Sequence, residues 1–164
     1  MKRSVILFGV IFVLGVFADR LVKAVQMNLM VPGESHVAIP YLLRFTYIEN
    51  SGIGFGLFGV SGAGAWLGLL GTTALFAVTV YVWVTLRPMP TLLAVALGFL
   101  CSGAVGNAID RIVYGVVIDI FDLVFIDFPV FNVADIFVCV GAALVAVWLL
   151  REARREARKS EKSA

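Results

Sequence analysis

The chain has 164 residues, of which 61% are hydrophobic and 15% charged, and its mean hydropathy is +1.00. Soluble domains are nearer half apolar and a quarter charged, so this composition excludes an ordinary soluble globular protein and indicates a membrane protein. The net charge of +2 carries little information by itself, and we expect no nucleic acid among the partners.

Four apolar runs are long enough to cross a bilayer, which takes roughly 17–25 residues per helix. They cover residues 4–22, 62–86, 91–109 and 133–150. We therefore predict an all-α membrane protein with four transmembrane helices, forming one polytopic membrane domain over residues 1–164. The first run also has the basic start and apolar stretch of a signal peptide, with a cut after Ala18, and we favour a retained signal-anchor helix over cleavage.

The basic residues indicate the topology of these spans. Lys2 and Arg3 precede the first span, Arg87 lies between the second and third, and six lysines and arginines follow the fourth. The positive-inside rule places these regions, and both termini, in the cytoplasm. The remaining segments are two external ones at 23–61 and 110–132, and a basic cytoplasmic tail at 151–164.

The first external segment has the composition of a small β element. Pro32-Gly33 is a turn signal, and residues 37–48 are rich in β-branched and aromatic residues. We expect a short strand pair here, on the outer membrane surface between spans one and two. At the start of the second span, Gly64 and Gly68 form a GxxxG pair, for which close helix packing is the ordinary explanation.

The residue types that hold metals are sparse. Cys101 and Cys139 fall within the third and fourth spans with no partner at ligand spacing, so neither a zinc site nor a redox pair is supported. His36 is the only histidine, and we expect it to be a solvated loop residue. We predict no metal and no cofactor.

Polar residues gather at the outer ends of the spans. Asp19 and Lys23 lie four residues apart and therefore share a helix face, as do Asn107 and Arg111. Asp110 lies three residues after Asn107 on the same helix. The other polar residues of interest are Asn50, Asp119, Asn132 and Asp135.

Asp119 and Asp135 are the most informative of these residues. A carboxylate beside a bilayer is costly, so it is by default a functional-site hypothesis, and two together suggest a dyad that shares one proton. The alternative is structural: Asn132 is a fair helix N-cap, Asp135 suits the third position of that helix, and Arg111 would pair with a nearby acid for stability alone.

Five short motifs in this order resemble the lipoprotein signal peptidases, the type II signal peptidases of bacterial membranes. The similarity covers about residues 5 to 150, including the four spans. The motifs are Asp19 with Lys23, Asn-x-Gly-x-x-Phe at 50–55, Gly-Asn-x-x-Asp-Arg at 106–111, a Gly-x-Val-Val-Asp-like stretch ending at Asp119, and Phe-Asn-x-Ala-Asp at 131–135. Departures at Ile53-Gly54, Ile118 and Ile120 concern substrate fit more than catalysis.

The resemblance implies an aspartic endopeptidase in which Asp119 and Asp135 are catalytic. It implies that Asp19 and Lys23 stabilise the end of span one, and we expect Asp110 to orient Arg111. The candidates to bind substrate or support the dyad are Asn50, Gly52, Asn107, Asp110, Arg111, Asn132 and Ala134. We expect Asp122 and Asp127 to be solvated loop acids.

The resemblance also implies partners and location. The substrates would be diacylglyceryl-modified prolipoproteins, cut just before the lipidated cysteine, in contact with membrane lipids. We expect a monomer in the bacterial inner membrane, with the active site near its outer face. Two rival interpretations are a proton-coupled carrier, which predicts an acid deep within a span, and a non-enzymatic adaptor, in which both aspartates tolerate replacement.

Overall fold

The computed structural model describes residues 2–52, 63–86 and 88–163, and this part of the chain contains four helices and three strands. All four helices are long and apolar enough to cross a membrane, so the predicted fold class is confirmed. In chain order the elements are α1 (Lys2–Leu29), β1 (Ser35–Ile39), β2 (Leu43–Asn50), α2 (Ala63–Thr85), α3 (Thr91–Tyr114), β3 (Val117–Leu123) and α4 (Val133–Ser163).

Helix α3 is the centre of the bundle. Of its most apolar stretch, 56% is buried inside the protein, against 6–11% for the other three helices. Small residues make this possible, because a side chain at Gly98 would collide with Ile11 of α1, and one at Gly141 of α4 would lie 2.6 Å from Leu100. Glycine at helix contacts lets backbones approach closely in a membrane, where association depends on packing.

The three strands form one antiparallel sheet in the order β1-β2-β3. The predicted strand pair is present as β1 and β2, and the Pro32-Gly33 turn is confirmed, with Gly33 in the left-handed region at a φ of 87°. The sheet packs on the end of α1 through Tyr47, Ile118 and Ile120.

Strand β3 was missed at the sequence level. It comes from the second external segment, not the first, and it places Asp119 opposite Ile48 of β2. Its signal in the sequence is weak, because Asp119 and Asp122 interrupt an otherwise apolar run and the first four residues of the strand are all buried. The sheet is therefore the element that brings the two external segments together.

Two helices continue past the predicted spans. Helix α1 ends at Leu29 rather than at residue 22, and α4 continues through the basic tail to Ser163, with most of its side chains from 151 to 161 exposed. The residues 53–55 of the Asn-x-Gly-x-x-Phe motif, and Arg87, lie outside the described residues.

Candidate active site

Asp119 lies in the middle of β3 and is 2% exposed. Its two carboxylate oxygens accept hydrogen bonds from two side-chain amides. Asn50 Nδ2, at the end of β2, donates to Oδ2 at 2.9 Å, and Asn132 Nδ2, just before α4, donates to Oδ1 at 2.7 Å. Both partners of this buried acid are neutral.

Asp135 lies in the first turn of α4, where it forms a reciprocal cap with Asn132. The Asp135 backbone N–H donates to Asn132 Oδ1 at 3.0 Å, and the Asn132 backbone N–H donates to Asp135 Oδ2 at 3.1 Å. This capping box satisfies two backbone donors at the helix start. The cap that the sequence offered as a structural alternative is therefore present, and it also fixes the orientation of Asp135.

Asn132 joins the two acids, because its amide contacts Asp119 while its backbone N–H contacts Asp135. A second link runs through Asn107 of α3, whose Nδ2 donates to Asp135 Oδ1 at 2.8 Å. Asn107 Oδ1 accepts from Lys23 Nζ at 3.2 Å and from Asn132 Nδ2 at 3.1 Å. These two donors orient the Asn107 amide so that its nitrogen faces Asp135.

The environment of Asp119 makes it easier to protonate than an ordinary aspartate. Burial raises the pKa of Asp119 from 3.8 to about 6, and the nearby charge of Asp135 adds to the rise. The amide hydrogen bonds from Asn50 and Asn132 lower the pKa of Asp119 and so limit the effect. Such a value suits a group that exchanges a proton near neutral pH.

Next to the dyad lies an ion-pair quartet in which Asp19, Lys23 and Asp110 are buried and Arg20 is partly exposed. Lys23 Nζ lies 3.1 Å from Asp19 Oδ2 and 2.5 Å from Asp110 Oδ2. Arg20 Nη2 lies 2.7 Å from an oxygen of each acid. The two negative and two positive charges balance, as buried charges require.

The quartet also holds the elements that carry the dyad. Asp110 Oδ2 accepts the backbone N–H of Ile118 at 3.1 Å, one residue before Asp119. Asp19 Oδ1 accepts the backbone N–H of Ala134 at 3.0 Å, one residue before Asp135. Ala134 is fully buried against α3, where a side chain at Gly106 would lie 3.1 Å from its Cβ.

Arg111 does not pair with Asp110, and that prediction was wrong. The two side chains leave α3 in different directions, Asp110 into the quartet and Arg111 toward the segment after β2. Arg111 Nη2 donates to the Gly52 carbonyl at 3.1 Å, and Nη1 donates to the Asn107 carbonyl at 3.3 Å. Gly52 N–H in turn donates to Asn50 Oδ1 at 2.9 Å, so Arg111 supports the Asn50 side chain that contacts Asp119.

Gly68 of α2 makes room for Arg111. A Cβ at this position would lie 2.5 Å from Arg111 Nε and 2.6 Å from its Cζ. The GxxxG interpretation therefore needs correction at this residue, because Gly68 receives a guanidinium rather than a neighbouring backbone.

Asp122 and Asp127 have different environments. Asp122 lies on β3, where it pairs with Arg44 at 2.7 Å and accepts from Thr46 Oγ1 at 3.1 Å, so its prediction as a solvated loop acid was wrong. Asp127 is an exposed loop residue, as predicted. His36 is exposed too, but it lies on β1, 2.8 Å from Glu34.

Arg20 is the residue of this region that the sequence analysis missed. It adjoins Asp19 in an apolar helix, and a charge in such a position needs a partner. That signal was available, but the partner Asp110 is 90 positions away and belongs to another helix. Its identity depends on the packing of α1 against α3.

Comparisons with known proteins agree with this architecture. The family described as Signal peptidase (SPase) II matches residues 11–151. The lipoprotein signal peptidase of Clostridium tetani is 33% identical over 92% of this chain and 96% of its own length, and that of Syntrophomonas wolfei is 37% identical over 91% and 96%.

Two solved structures, both described as bacterial membrane enzymes determined by the in meso method, have the same fold. One has a TM-score of 0.80 at 29% identity, covering 93% of this chain and 90% of its own. The other has a TM-score of 0.72 at 28% identity, covering 92% and 94%. The resemblance given by the five motifs is confirmed: the chain belongs to the signal peptidase II family of bacterial membrane-embedded aspartic peptidases.

Proposed function

We propose that this enzyme removes the signal peptide from diacylglyceryl-modified prolipoproteins by water attack at an Asp119–Asp135 dyad, cutting just before the lipidated cysteine. The observation that carries the dyad is the double contact of Asn132, whose amide donates to Asp119 and whose backbone N–H donates to Asp135. Family membership and the names of the relatives support the substrate class.

The dyad works by holding one proton between two acids. Two carboxylates this close to the same residue cannot both ionise cheaply, so one stays protonated. We assign that proton to Asp119, because burial raises its pKa. Asp135 then takes a proton from water, which attacks the scissile carbonyl, while Asp119 hydrogen-bonds the carbonyl oxygen and later protonates the leaving amine.

The surrounding residues position the dyad. Asn50, Asn107 and Asn132 hold the carboxylates, and Arg111 with Gly52 holds the Asn50 side chain. The quartet and Ala134 fix β3 and α4 relative to α1 and α3. The substrate backbone would bind against the same amides.

The topology follows from the charge distribution. The positive-inside rule supports a topology in which both termini and the basic end of α4 are cytoplasmic, so that the sheet and the dyad would lie near the outer face of the cytoplasmic membrane. A single copy supplies both acids, so we propose that the monomer is the active unit, with one polytopic domain.

The test is cleavage of two precursors by the purified enzyme. One precursor carries the diacylglyceryl group on its cysteine and the other has the same sequence without it. We expect the first to be cut with the lipidated cysteine as the new N-terminus, as mass spectrometry would show, and the second to remain intact. Equal cleavage of both, or a cut elsewhere, would contradict the proposed substrate.

A further inference from the structure

A cavity of about 480 Å³ lies between the end of α1 and the sheet. Its walls are mostly apolar and include Val25 and Leu29 of α1, Phe45 of β2 and Ile120 of β3, while Gln26 and His36 are its polar lining residues. This volume is within the range of sites that enclose small ligands. We call this cavity the sheet groove.

The sheet groove is separate from the dyad. Ile120 lines the groove, whereas Asp119 precedes it on β3, and consecutive strand residues face opposite sides of a sheet. The groove therefore lies behind the catalytic strand, and a peptide bound at the dyad would not enter it.

One buried polar group, the side-chain amide of Gln26, faces the groove. Gln26 lines the cavity and is 7% exposed, and its Nε2 has no hydrogen-bond partner among the residues that the structure describes. An amide nitrogen that is buried without an acceptor is destabilising, so the position calls for an acceptor. That acceptor must be compatible with apolar walls.

The depth of Gln26 identifies the class of ligand. Gln26 lies 22 positions after Ser4, the first residue of the first predicted span, which is about 33 Å along a helix at 1.5 Å per residue. The hydrocarbon core is about 30 Å thick, so Gln26 lies just beyond it, at the boundary between acyl chains and headgroups. Val25 and Leu29 are 49% and 74% exposed, so the groove opens toward lipid.

We propose that the sheet groove binds one acyl chain of a resident membrane glycerophospholipid, and that an ester carbonyl of this lipid accepts from Gln26. An ester carbonyl is an acceptor at the right depth, attached to a chain that matches the walls. The bound chain packs directly behind β3 and supports the strand that carries Asp119. The lipid is a structural component, distinct from the prolipoprotein substrate.

Native mass spectrometry of the purified full chain tests the site through lipid retention, a readout independent of cleavage and hence of the proposed function. The probes are dioleoyl phosphatidylglycerol and its dialkyl ether analogue, which lacks ester carbonyls. Wild type should retain one ester lipid through detergent exchange, and should retain the ether lipid about fivefold less, the ratio that one net hydrogen bond supplies. Equal retention of both lipids would overturn the proposal.

Three variants complete the test. Val25→Trp fills the groove and should abolish retention, whereas Val13→Trp, also at an exposed position of α1 but away from the groove, should retain lipid as wild type does. Gln26→Leu should retain the ester and the ether lipid equally, each at the level at which wild type retains the ether lipid. This variant also tests the proposal if Val25→Trp does not fold. Lipid retention in Val25→Trp, or displacement of the lipid by an equimolar diacylglyceryl-cysteine peptide, would overturn the assignment.

Discussion

Two groups of acids lie side by side in this protein and differ in what holds them. In the quartet, Asp19 and Asp110 each lie within 3.1 Å of a cation. In the dyad, Asp119 and Asp135 accept from amides, and among the described residues neither has a cation within ion-pairing distance. The two groups therefore differ in the charge of their partners, and in the dyad burial raises the pKa of Asp119 to about 6 although its two amide donors lower it.

The two groups are also coupled by the backbone. The quartet acids accept from Ile118 and Ala134, the residues that immediately precede the two dyad acids. We therefore propose that the quartet provides the rigid frame and that the dyad provides the chemistry. The dyad variants should therefore lose activity while remaining folded, and the quartet variants should lose stability.

The largest effect is expected from Asp119→Asn and Asp135→Asn. Each removes a proton donor or acceptor from the reaction, which alone contributes about 100- to 10,000-fold, so we expect no measurable cleavage of lipidated precursor. Both variants should remain folded, because asparagine has the shape of aspartate, with a modest fall in thermal stability where its amide nitrogen faces a hydrogen-bond donor. Asp122→Asn on the same strand is the matched control and should cleave at a near-normal rate.

The next effect is on stability, at the quartet. Lys23→Met leaves buried Asp19 and Asp110 with Arg20 alone, and breaking a buried ion pair costs about 3–5 kcal/mol. We expect this loss in the free energy of unfolding measured in detergent micelles. The double variant Lys23→Met/Asp110→Asn should recover part of it, since the charges again balance. An unchanged free energy of unfolding for Lys23→Met would show that the quartet does not stabilise the fold, and would contradict the distinction between the two groups.

A smaller effect is expected at the contact between α2 and α3. Gly68→Ala places a methyl group against the Arg111 guanidinium, which should shift the Gly52 and Asn50 contacts behind Asp119. We expect a fall of about tenfold in kcat, since misplacement by about 1 Å can cost on the order of 100-fold. Gly71→Ala, on the same helix but facing open space, should have no effect.

The smallest effect is a shift in pH dependence. If Asp119 carries the dyad proton, kcat/KM falls as pH rises through about 6 and this proton is lost. The Asn50 amide lowers the pKa of Asp119, so Asn50→Ala raises that pKa and moves the alkaline loss to higher pH. A profile in which activity instead increases through pH 6 would assign the proton to the other acid.

The sequence predicted more about the two dyad acids than about the residues around them. Spacing along single helices predicted that Asn107 and Arg111 share a region, and that Asn132 caps the helix of Asp135. It did not predict that Asn107 contacts Asp135, because that pair joins two helices whose relative rotation depends on packing around Gly103 and Gly106.

The errors share this cause. Asp110 was assigned to its sequence neighbour Arg111, although adjacent helical residues point about 100° apart. Its partners Lys23 and Arg20 lie on α1, and spacing along a single helix could not have identified them. Asp122 was predicted to lie in a loop because β3 was not predicted. Its partner Arg44 could be identified only from the pairing of β2 with β3.

The most direct test of the central claim is the infrared difference spectrum of the carboxyl groups at about pH 5, where ordinary aspartates are ionised. The spectrum of wild type minus Asp119→Asn should contain the C=O band of one protonated carboxyl, and that of wild type minus Asp122→Asn should not. A spectrum of wild type minus Asp119→Asn without this band would show that the amide-held pair carries no shared proton, and would contradict the account.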